Sequence, residues 1–163
     1  MGLDMYLTKH IFIGAEYAHR QVKGTIDITA EGKRIPIDFG KVSCIIENVG
    51  YWRKANQIHR WFVENVQDGE DECREHYVSE EKLLELKALC EKILAEQDPK
   101  KRVKLAKKHL PTQEGFFFGS QQYDEYYFSD LEETVEIINA LKLGSESDED
   151  IECSASYYYQ SSW

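Results

Sequence analysis

The sequence predicts an α+β domain in which an antiparallel sheet packs against three to five helices. Apolar residues alternate with polar ones near both ends of the chain, at residues 5–13 and 151–160. A third alternating segment, residues 24–39, surrounds a Glu31-Gly32 turn and reads as a β-hairpin. The segments between them have apolar residues at helical spacing. Strands at the ends with helices between them favour an α+β order, in which the first and last strands pair.

Four helices are predicted from spacing and caps. Residues 52–66 place apolar side chains on one broad face, and residues 80–96 follow Ser79, a favourable N-cap. Asp98-Pro99 begins a third helix that extends to residue 109. The capping box Ser129-x-x-Glu132 begins a fourth, which Gly144 ends. Residues 42–49 are ambiguous and favour a short helix, whereas residues 115–118 form a strand or buried loop.

Composition restricts the class of protein. A chain of 163 residues is expected to form a single domain, residues 1–163. Its net charge of -10 opposes binding to a nucleic-acid backbone, so no nucleic-acid partner is expected. The sequence shows neither a signal peptide nor a segment of transmembrane length, so no membrane partner is expected. The spacing of the cysteines then indicates free thiols in a cytosolic protein: Cys44, Cys73, Cys90 and Cys153.

Residues 50–62 are the strongest candidate for a functional site. This segment combines four aromatic side chains with three cations, two amides and an imidazole. Aromatic faces beside guanidinium, ammonium and amide donors suit a flat, anionic, hydrogen-bonding ligand. We expect Arg53, Asn56 and Arg60 to share one edge of a helix and hold the charge, while Tyr51 or Trp52 stacks on a ring. The alternative is an amphipathic helix whose aromatic stripe belongs to the core.

Two further groups are assigned to the same predicted site. His59 lies within the apolar face, where it is either a core imidazole or a hydrogen-bonding ligand contact. In Gly115-Phe-Phe-Phe-Gly-Ser120, two glycines let the backbone approach a partner, and Ser120 can begin a helix. The alternative is a buried strand with tight turns. The full predicted ligand-binding set is Tyr51, Trp52, Arg53, Asn56, His59, Arg60, Phe118 and Ser120.

Other patterns give little support for catalysis or metal binding. No phosphate loop or nucleophile elbow is present, and no catalytic residue is assigned. Cys73-x-x-His76 has ligand-like spacing but lacks a convincing fourth ligand, so no metal or other cofactor is expected. The basic run at residues 100–108 could attract an anion, but solvated helix faces are often this charged. The tyrosine clusters near residues 123–128 and 157–159 suit either a binding surface or a half-buried strand.

Several phrases resemble a family of small proteins encoded by phages and prophages. They begin with Met1-Gly-Leu-Asp-Met-Tyr-Leu7 and end with Tyr158-Tyr-Gln-Ser-Ser-Trp163. Between these lie Gly50-Tyr-Trp-Arg-Lys-Ala-Asn56 with the downstream Ile58-His59 and Trp61-Phe62, Val66-Gln-Asp-Gly-Glu70, Leu110-Pro-Thr-Gln113 and Gly115-Phe-Phe-Phe-Gly-Ser120. The resemblance implies an accessory protein acting in the host bacterial cytosol. Accessory proteins of this size often counter host defence, in some cases by sequestering nucleotide immune signals.

The residues and the resemblance together favour a non-catalytic binding protein. We expect it to sequester a small anionic, nucleotide-like ligand, such as a host immune signal, with a homo-oligomer as a candidate assembly. Two alternatives remain. One is an inhibitor that docks on a host enzyme through aromatic and acidic surfaces. The other is a small hydrolase of a nucleotide signal that uses His59 as acid or base.

Overall fold

The predicted α+β architecture is confirmed. The computed structural model describes residues 2–14, 23–144 and 154–163. A four-stranded antiparallel sheet has the order β4-β1-β6-β5, and a separate hairpin consists of β2 and β3. The strands are β1 (Asp4–Phe12), β2 (Ile28–Ala30), β3 (Lys33–Ile35), β4 (Cys44–Arg53), β5 (His76–Val78) and β6 (Ser154–Ser162). The helices are α1 (Asn56–Asn65), α2 (Glu80–Leu94), α3 (Pro99–His109) and α4 (Glu125–Ala140).

The first and last strands form the centre of the sheet. β1 pairs along its whole length with β6, from Asp4 opposite Ser162 to Phe12 opposite Ser154. On its other side β1 pairs with β4, with a register shift between Leu7 and Thr8. The pairing of the two terminal strands was predicted from their alternation. The predicted strand at residues 151–160 begins at Ser154 in the described part, and residues 151–153 lie outside it.

The core lies between one face of this sheet and the helices. Leu3, Met5 and Leu7 alternate into it from the start of the chain, as period-two spacing requires. The ring of Tyr159 from β6 stacks on Phe62 of α1, with centroids 3.9 Å apart and an interplanar angle of 8°. This stack joins the last strand to the first helix at the middle of the core.

Two sequence predictions about elements are wrong. Residues 42–49 do not form a helix, because Cys44 already begins β4 and pairs with Phe12. The first helix begins at Asn56 rather than at Trp52, which lies in β4. Cross-strand pairing with β1 therefore overrides the helical spacing of the apolar residues here.

The helix caps were predicted with mixed success. Ser79 accepts a hydrogen bond from the backbone N–H of Lys82, and Asp98 caps α3 ahead of Pro99, as expected. The fourth helix begins one turn earlier than predicted, because Asp124 accepts from the N–H groups of Tyr126 and Tyr127. Ser129 consequently lies inside α4 and caps nothing.

Candidate functional site

A sharp strand-to-helix turn joins β4 to α1. Lys54 has a left-handed backbone with φ 61°, and its N–H donates to the carbonyl of Leu3 at 2.8 Å. Ala55 follows with φ -76° and ψ 68°, which are the angles of an inverse γ-turn. The N–H of Asn56 closes that turn on the Lys54 carbonyl at 2.9 Å. Two successive cations, Arg53 and Lys54, therefore lie exposed directly ahead of α1.

Asn56 fixes the loop that lies across this turn. Its side-chain amide donates to the carbonyls of Phe118 and Ser120, at 3.1 and 2.8 Å. Its side-chain oxygen accepts from the N–H of Gln113 at 2.9 Å. A buried amide with these three bonds is engaged at both ends. Asn56 therefore positions the loop of residues 113–120 and is unavailable to a ligand.

A small pocket lies where the turn, the loop and the start of α4 meet. Its volume is about 270 Å³, slightly below the usual range for drug-sized ligands. Its floor includes Gly119, whose φ of 99° and close approach to Lys54 exclude a side chain. The pocket is lined by Arg53, Lys54, Gln57, Gly119, Ser120, Gln122, Asp124, Tyr126, Tyr127 and Asp130.

The lining combines cations with two carboxylates. Asp124 is engaged as the N-cap of α4, where its charge faces the helix dipole. Asp130 accepts from the side-chain amide of Gln57 at 2.8 Å. Burial raises the pKa of Asp130 to about 6, although the Gln57 bond acts in the opposite direction. When Asp130 is protonated, Arg53 and Lys54 outnumber the remaining carboxylate of the lining.

An exposed aromatic ring borders the same pocket. Tyr126, in the first turn of α4, is 72% exposed, so most of its ring is open to a stacking partner. Its neighbour Tyr127 is buried and donates its hydroxyl to the Leu110 carbonyl at 2.7 Å. Ser120 and Gln122 add exposed polar groups to the lining. The pocket thus contains a ring, two cations and several hydrogen-bonding groups.

The predicted ligand-binding residues separate into two groups. Arg53 and Ser120 line the pocket, and Tyr51 and Arg60 are at least partly exposed. Trp52, Asn56, His59 and Phe118 are buried, with no open face for a ligand. The indole N–H of Trp52 donates to the Thr134 hydroxyl at 2.9 Å. For these four residues, the alternative interpretation as core matches the structure.

The expected shared edge of Arg53, Asn56 and Arg60 does not exist. Arg53 belongs to β4, and its Nε lies 3.9 Å from a carboxylate oxygen of Asp4. Arg60 lies on α1 and donates to Glu64 at 2.7 Å and to the Thr112 carbonyl at 3.2 Å. The two guanidinium groups therefore have separate surroundings, and only Arg53 contributes to the pocket.

His59 is the centre of a buried hydrogen-bond network. Its Nδ1 lies 2.8 Å from the Tyr159 hydroxyl, and its Nε2 lies 3.1 Å from Asp71. A carboxylate can only accept, so Nε2 carries the proton and Nδ1 accepts from Tyr159. Burial lowers the pKa of His59, and the charge of Asp71 acts in the opposite direction. His59 is therefore a neutral core imidazole.

The same carboxylate of Asp71 joins two other segments to this network. Gln113 donates its side-chain amide to Asp71 at 3.1 Å, and the indole of Trp163 does so at the same distance. Trp163 also makes an edge contact with Phe118, with centroids 6.1 Å apart. The network thus holds the end of β6 and the 113–120 loop against α1.

The basic run and the Cys73-x-x-His76 pair, the other candidates from the sequence, make contacts within the protein. In the basic run, Arg102 donates to the carbonyls of Leu94 and Glu96 and lies over the Phe128 ring. Cys73 is exposed, and His76 faces Glu72 at 3.1 Å. Within residues 2–14, 23–144 and 154–163, no group of three or more His, Cys, Asp or Glu could hold a metal ion. No helix in the same ranges is long and apolar enough to cross a membrane.

No family model, curated protein or solved structure matches the chain. What the pocket can bind is therefore inferred from its own residues. Sequence reasoning missed Lys54, Gln57, Gln122, Tyr126 and Asp130 as lining residues. Lys54 and Gln57 lie within the candidate segment 50–62, and Tyr126 belongs to the tyrosine-rich segment 123–128, so these three had a local signal. Gln122 and Asp130 reach the pocket through contacts between distant parts of the chain.

Proposed function

We propose that this protein binds and sequesters a small anionic, nucleotide-like ligand without converting it. The observation that supports the proposal is the pocket of about 270 Å³ in which Arg53 and Lys54 lie near the exposed ring of Tyr126. A phosphate would bind the two cations, and a planar base would stack on the tyrosine. Ser120, Gln122 and Gln57 would supply hydrogen bonds to the edge of the base.

The size and charge of the pocket favour one nucleotide unit. A volume near the lower end of ligand pockets suits a single base and sugar with its phosphate. A larger signal, such as a cyclic dinucleotide, would insert one unit and leave the other at the surface or to a second protomer. Below the Asp130 pKa of about 6 the lining has two cations and one ionised carboxylate, which favours an anion, whereas above it the two cations face two carboxylates.

The proposed biological role follows from the resemblance to phage and prophage proteins. A protein that holds a host nucleotide signal in the bacterial cytosol lowers its free concentration and so weakens the defence that it triggers. Useful capture requires micromolar to nanomolar affinity, about 8 to 12 kcal/mol of binding free energy. Sequestration also requires that the ligand leave unchanged.

The hydrolase alternative receives less support. Its proposed acid or base, His59, is fully buried, and both ring nitrogens have partners at 2.8 and 3.1 Å. General acid–base catalysis requires a group within hydrogen-bond reach of the substrate. The lining of the pocket instead contains the carboxyl group of Asp130, whose pKa burial raises to about 6.

The proposal is tested by titration calorimetry with AMP, ADP-ribose and cyclic dinucleotides. The decisive variant is Lys54→Asn, because asparagine tolerates a left-handed backbone and removes the ammonium group. Loss of one charge-assisted contact is expected to weaken binding by about 10- to 100-fold. The matched control is Lys104→Asn on the exposed face of α3, which is expected to bind like the wild type.

Chromatography of the ligand released by denaturation separates capture from turnover. Intact ligand supports sequestration, whereas product peaks support the hydrolase. Failure of all three nucleotides to bind at millimolar concentration would refute the proposal. Equal affinities for Lys54→Asn and Lys104→Asn would refute the assignment of the pocket.

A second function, inhibition of a host protein, is favoured by two exposed phenylalanines. Phe116 is 82% exposed, and its ring lies 4.2 Å from that of Phe117. Phe117 has a left-handed backbone with φ 62°, which is unusual for a bulky residue and is often retained at functional sites. A host protein that copurifies with the wild type but not with Phe116→Ser/Phe117→Ser would support this role. Unchanged nucleotide binding by the same variant would show that the two functions are separate.

A further inference from the structure

We propose that the ligand of the pocket is a dinucleotide, whose second base stacks on Phe116 and Phe117. The inference rests on the proposed function and names the class of nucleotide that the site takes. The pocket of about 270 Å³ has room for one base with its sugar and phosphate. A second base therefore needs a separate aromatic surface, close to the cations that bind the phosphates.

Phe116 and Phe117 form such a surface, the phenylalanine pair. Their side chains are 82% and 53% exposed, and their ring centroids lie 4.2 Å apart at an interplanar angle of 60°. The next residue, Phe118, is buried and makes ring contacts with His59 and Trp163. One ring of this loop therefore anchors it in the core, while the other two are open to a planar ligand.

The backbone of the loop fixes the position of the phenylalanine pair. The left-handed φ of 62° at Phe117 is unusual for a bulky residue. A side chain on Gly115 would collide with the ring of Phe118, so glycine at this position permits the anchor. The amide of Asn56 then holds the carbonyls of Phe118 and Ser120. The loop thus keeps two apolar rings in water at a fixed place, which suits a surface awaiting a stacking partner.

Lys54 lies between the pocket and the phenylalanine pair. It lines the pocket, and its Cβ and carbonyl oxygen are 3.0 Å from the position of a Cβ on Gly119. Its Cε and the carbonyl oxygen of Phe117 both approach one point, the position of a Cβ on Gly2, at 3.5 and 3.8 Å. The side chain of Lys54 therefore extends from the pocket toward Phe117. A phosphate on its ammonium group would have one nucleoside in the pocket and the other beside the pair.

The charges beside the phenylalanine pair favour a phosphorylated ligand over an apolar one. Arg53 and Lys54 are consecutive and exposed, and Arg53 Nε lies 3.9 Å from Asp4, a long distance for an ion pair. A dinucleotide has two phosphates, so each cation can bind one. Stacking accepts any base, because every base has a π-face. The pair therefore selects for a second base without reading its identity, and the hydrogen-bonding groups of the pocket discriminate the first.

The test is titration calorimetry of the full chain with two probes that differ by one nucleoside. The linear diadenylate pApA has two phosphates and two adenosines, whereas pAp has two phosphates but only the first adenosine. The wild type is expected to bind pApA about 10-fold or more tightly than pAp, because only pApA can stack a base on the phenylalanine pair.

Two variants remove parts of the stacking surface. Phe116→Ala truncates the more exposed ring, and Phe117→Asn introduces a residue that tolerates the left-handed backbone. In each, the affinity for pApA is expected to fall to within about threefold of that for pAp. The matched control is Tyr77→Ala, which removes an exposed ring from β5, at the other edge of the sheet from β4. It is expected to keep the wild-type preference for pApA.

The NMR signals of the second adenine give a readout that a general loss of stability would not produce. Its ring protons are expected to move upfield in the wild-type complex, because they would lie over a phenyl ring. In the complex with Phe116→Ala this shift is expected to shrink, while the signals of the first adenine stay where they are.

Two results would overturn the inference while the proposed function stands. One is an equal affinity of the wild type for pApA and pAp. The other is a preference for pApA that both phenylalanine variants retain, which would leave the phenylalanine pair to a host protein. Failure of both probes to bind at millimolar concentration would instead refute nucleotide capture itself, and this inference with it.

Discussion

The Tyr159 hydroxyl donates a hydrogen bond to the buried Nδ1 of His59, 2.8 Å away, and so links the last strand to the first helix. The ring of Tyr159 stacks on Phe62 and is fully buried, so the hydroxyl has little access to water. This bond and the stack together hold β6 against α1, and the core depends on both.

Tyr159→Phe is therefore expected to destabilise the protein by about 1 to 3 kcal/mol. The stack with Phe62 survives, but Nδ1 of His59 becomes a buried acceptor without its donor. Urea unfolding near pH 7.5 measures the change. Tyr158→Phe, on the opposite face of the same strand, is the control and should change the free energy of unfolding by less than about 0.5 kcal/mol. Equal effects of the two substitutions would contradict the role of the His59 bond.

Stability is expected to fall in mild acid because of His59. Its pKa is lowered by burial, so the neutral form is favoured in the folded state. Its contribution to stability is fully present above about pH 6.5 and is lost as the pH falls through the lower folded pKa. His59→Gln removes this titration, so the difference from the wild type should shrink between about pH 7 and pH 5. Parallel stability profiles would show that the pKa of His59 is the same in the folded and unfolded states, which would contradict the lowered pKa.

Asp130 is expected to have the opposite effect. Burial raises its folded pKa to about 6, from 3.8, so its contribution is present below the lower value and is lost as the pH rises through the higher one. Asp130→Asn should then be more stable than the wild type near pH 7.5, by about 1 kcal/mol, because remaining solvent contact screens part of the shift. The two chains should be equally stable near pH 4.

The control for Asp130→Asn is Glu136→Gln, which removes one exposed charge from the same helix. Nucleotide affinity supplies a second readout. In the wild type it should rise between about pH 7.5 and pH 6, as protonation of Asp130 removes a negative charge from the pocket. Asp130→Asn should show a flat profile over this range. A wild-type affinity independent of pH would place the anion away from Asp130.

Gly119→Ala is expected to cost more than a substitution at an equally left-handed glycine. An added Cβ would lie 3.0 Å from the carbonyl oxygen and the Cβ of Lys54, at a φ of 99°. Gly69 has a φ of 82°, and no heavy atom lies within 4 Å of its built Cβ. Gly69→Ala therefore measures the backbone strain alone, and Gly119→Ala should exceed it by about 1 kcal/mol or more in thermal unfolding. Equal losses would show that the loop yields without strain.

The sequence predicted the sheet well where both strands alternate. Residues 5–13 needed no tertiary information, since Met5 and Leu7 already mark the inner face. Residues 42–49 did need tertiary information, because Ile45 and Ile46 fit a helix or a strand equally. Their pairing with β1 makes this segment a strand. The short strand β5 was missed, because its three residues are ordered by pairing with β6.

The candidate site was less predictable. Trp52 continued the helical spacing of α1, and nothing in the sequence signals that Lys54 adopts a left-handed backbone, which glycine or asparagine would have suggested. Asp130 and Gln57 are 73 residues apart in the chain yet form a bond of 2.8 Å. The raised pKa of Asp130 is caused by its burial in the folded protein, which the sequence does not show. Composition could therefore suggest a candidate anion site but could not specify the residues that line the pocket.

The central position of β6 has a consequence for synthesis. Ribosomes deliver β1 first and β6 about 150 residues later, yet β6 is the direct neighbour of both β1 and β5. Until it emerges, β1 has only β4 as a partner, and β5 has none within the four-stranded sheet. A nascent chain stopped before β6 would expose the apolar side of a two-stranded ribbon to chaperones. Completion of the four-stranded sheet therefore waits for β6 to emerge and depends on one long-range pairing.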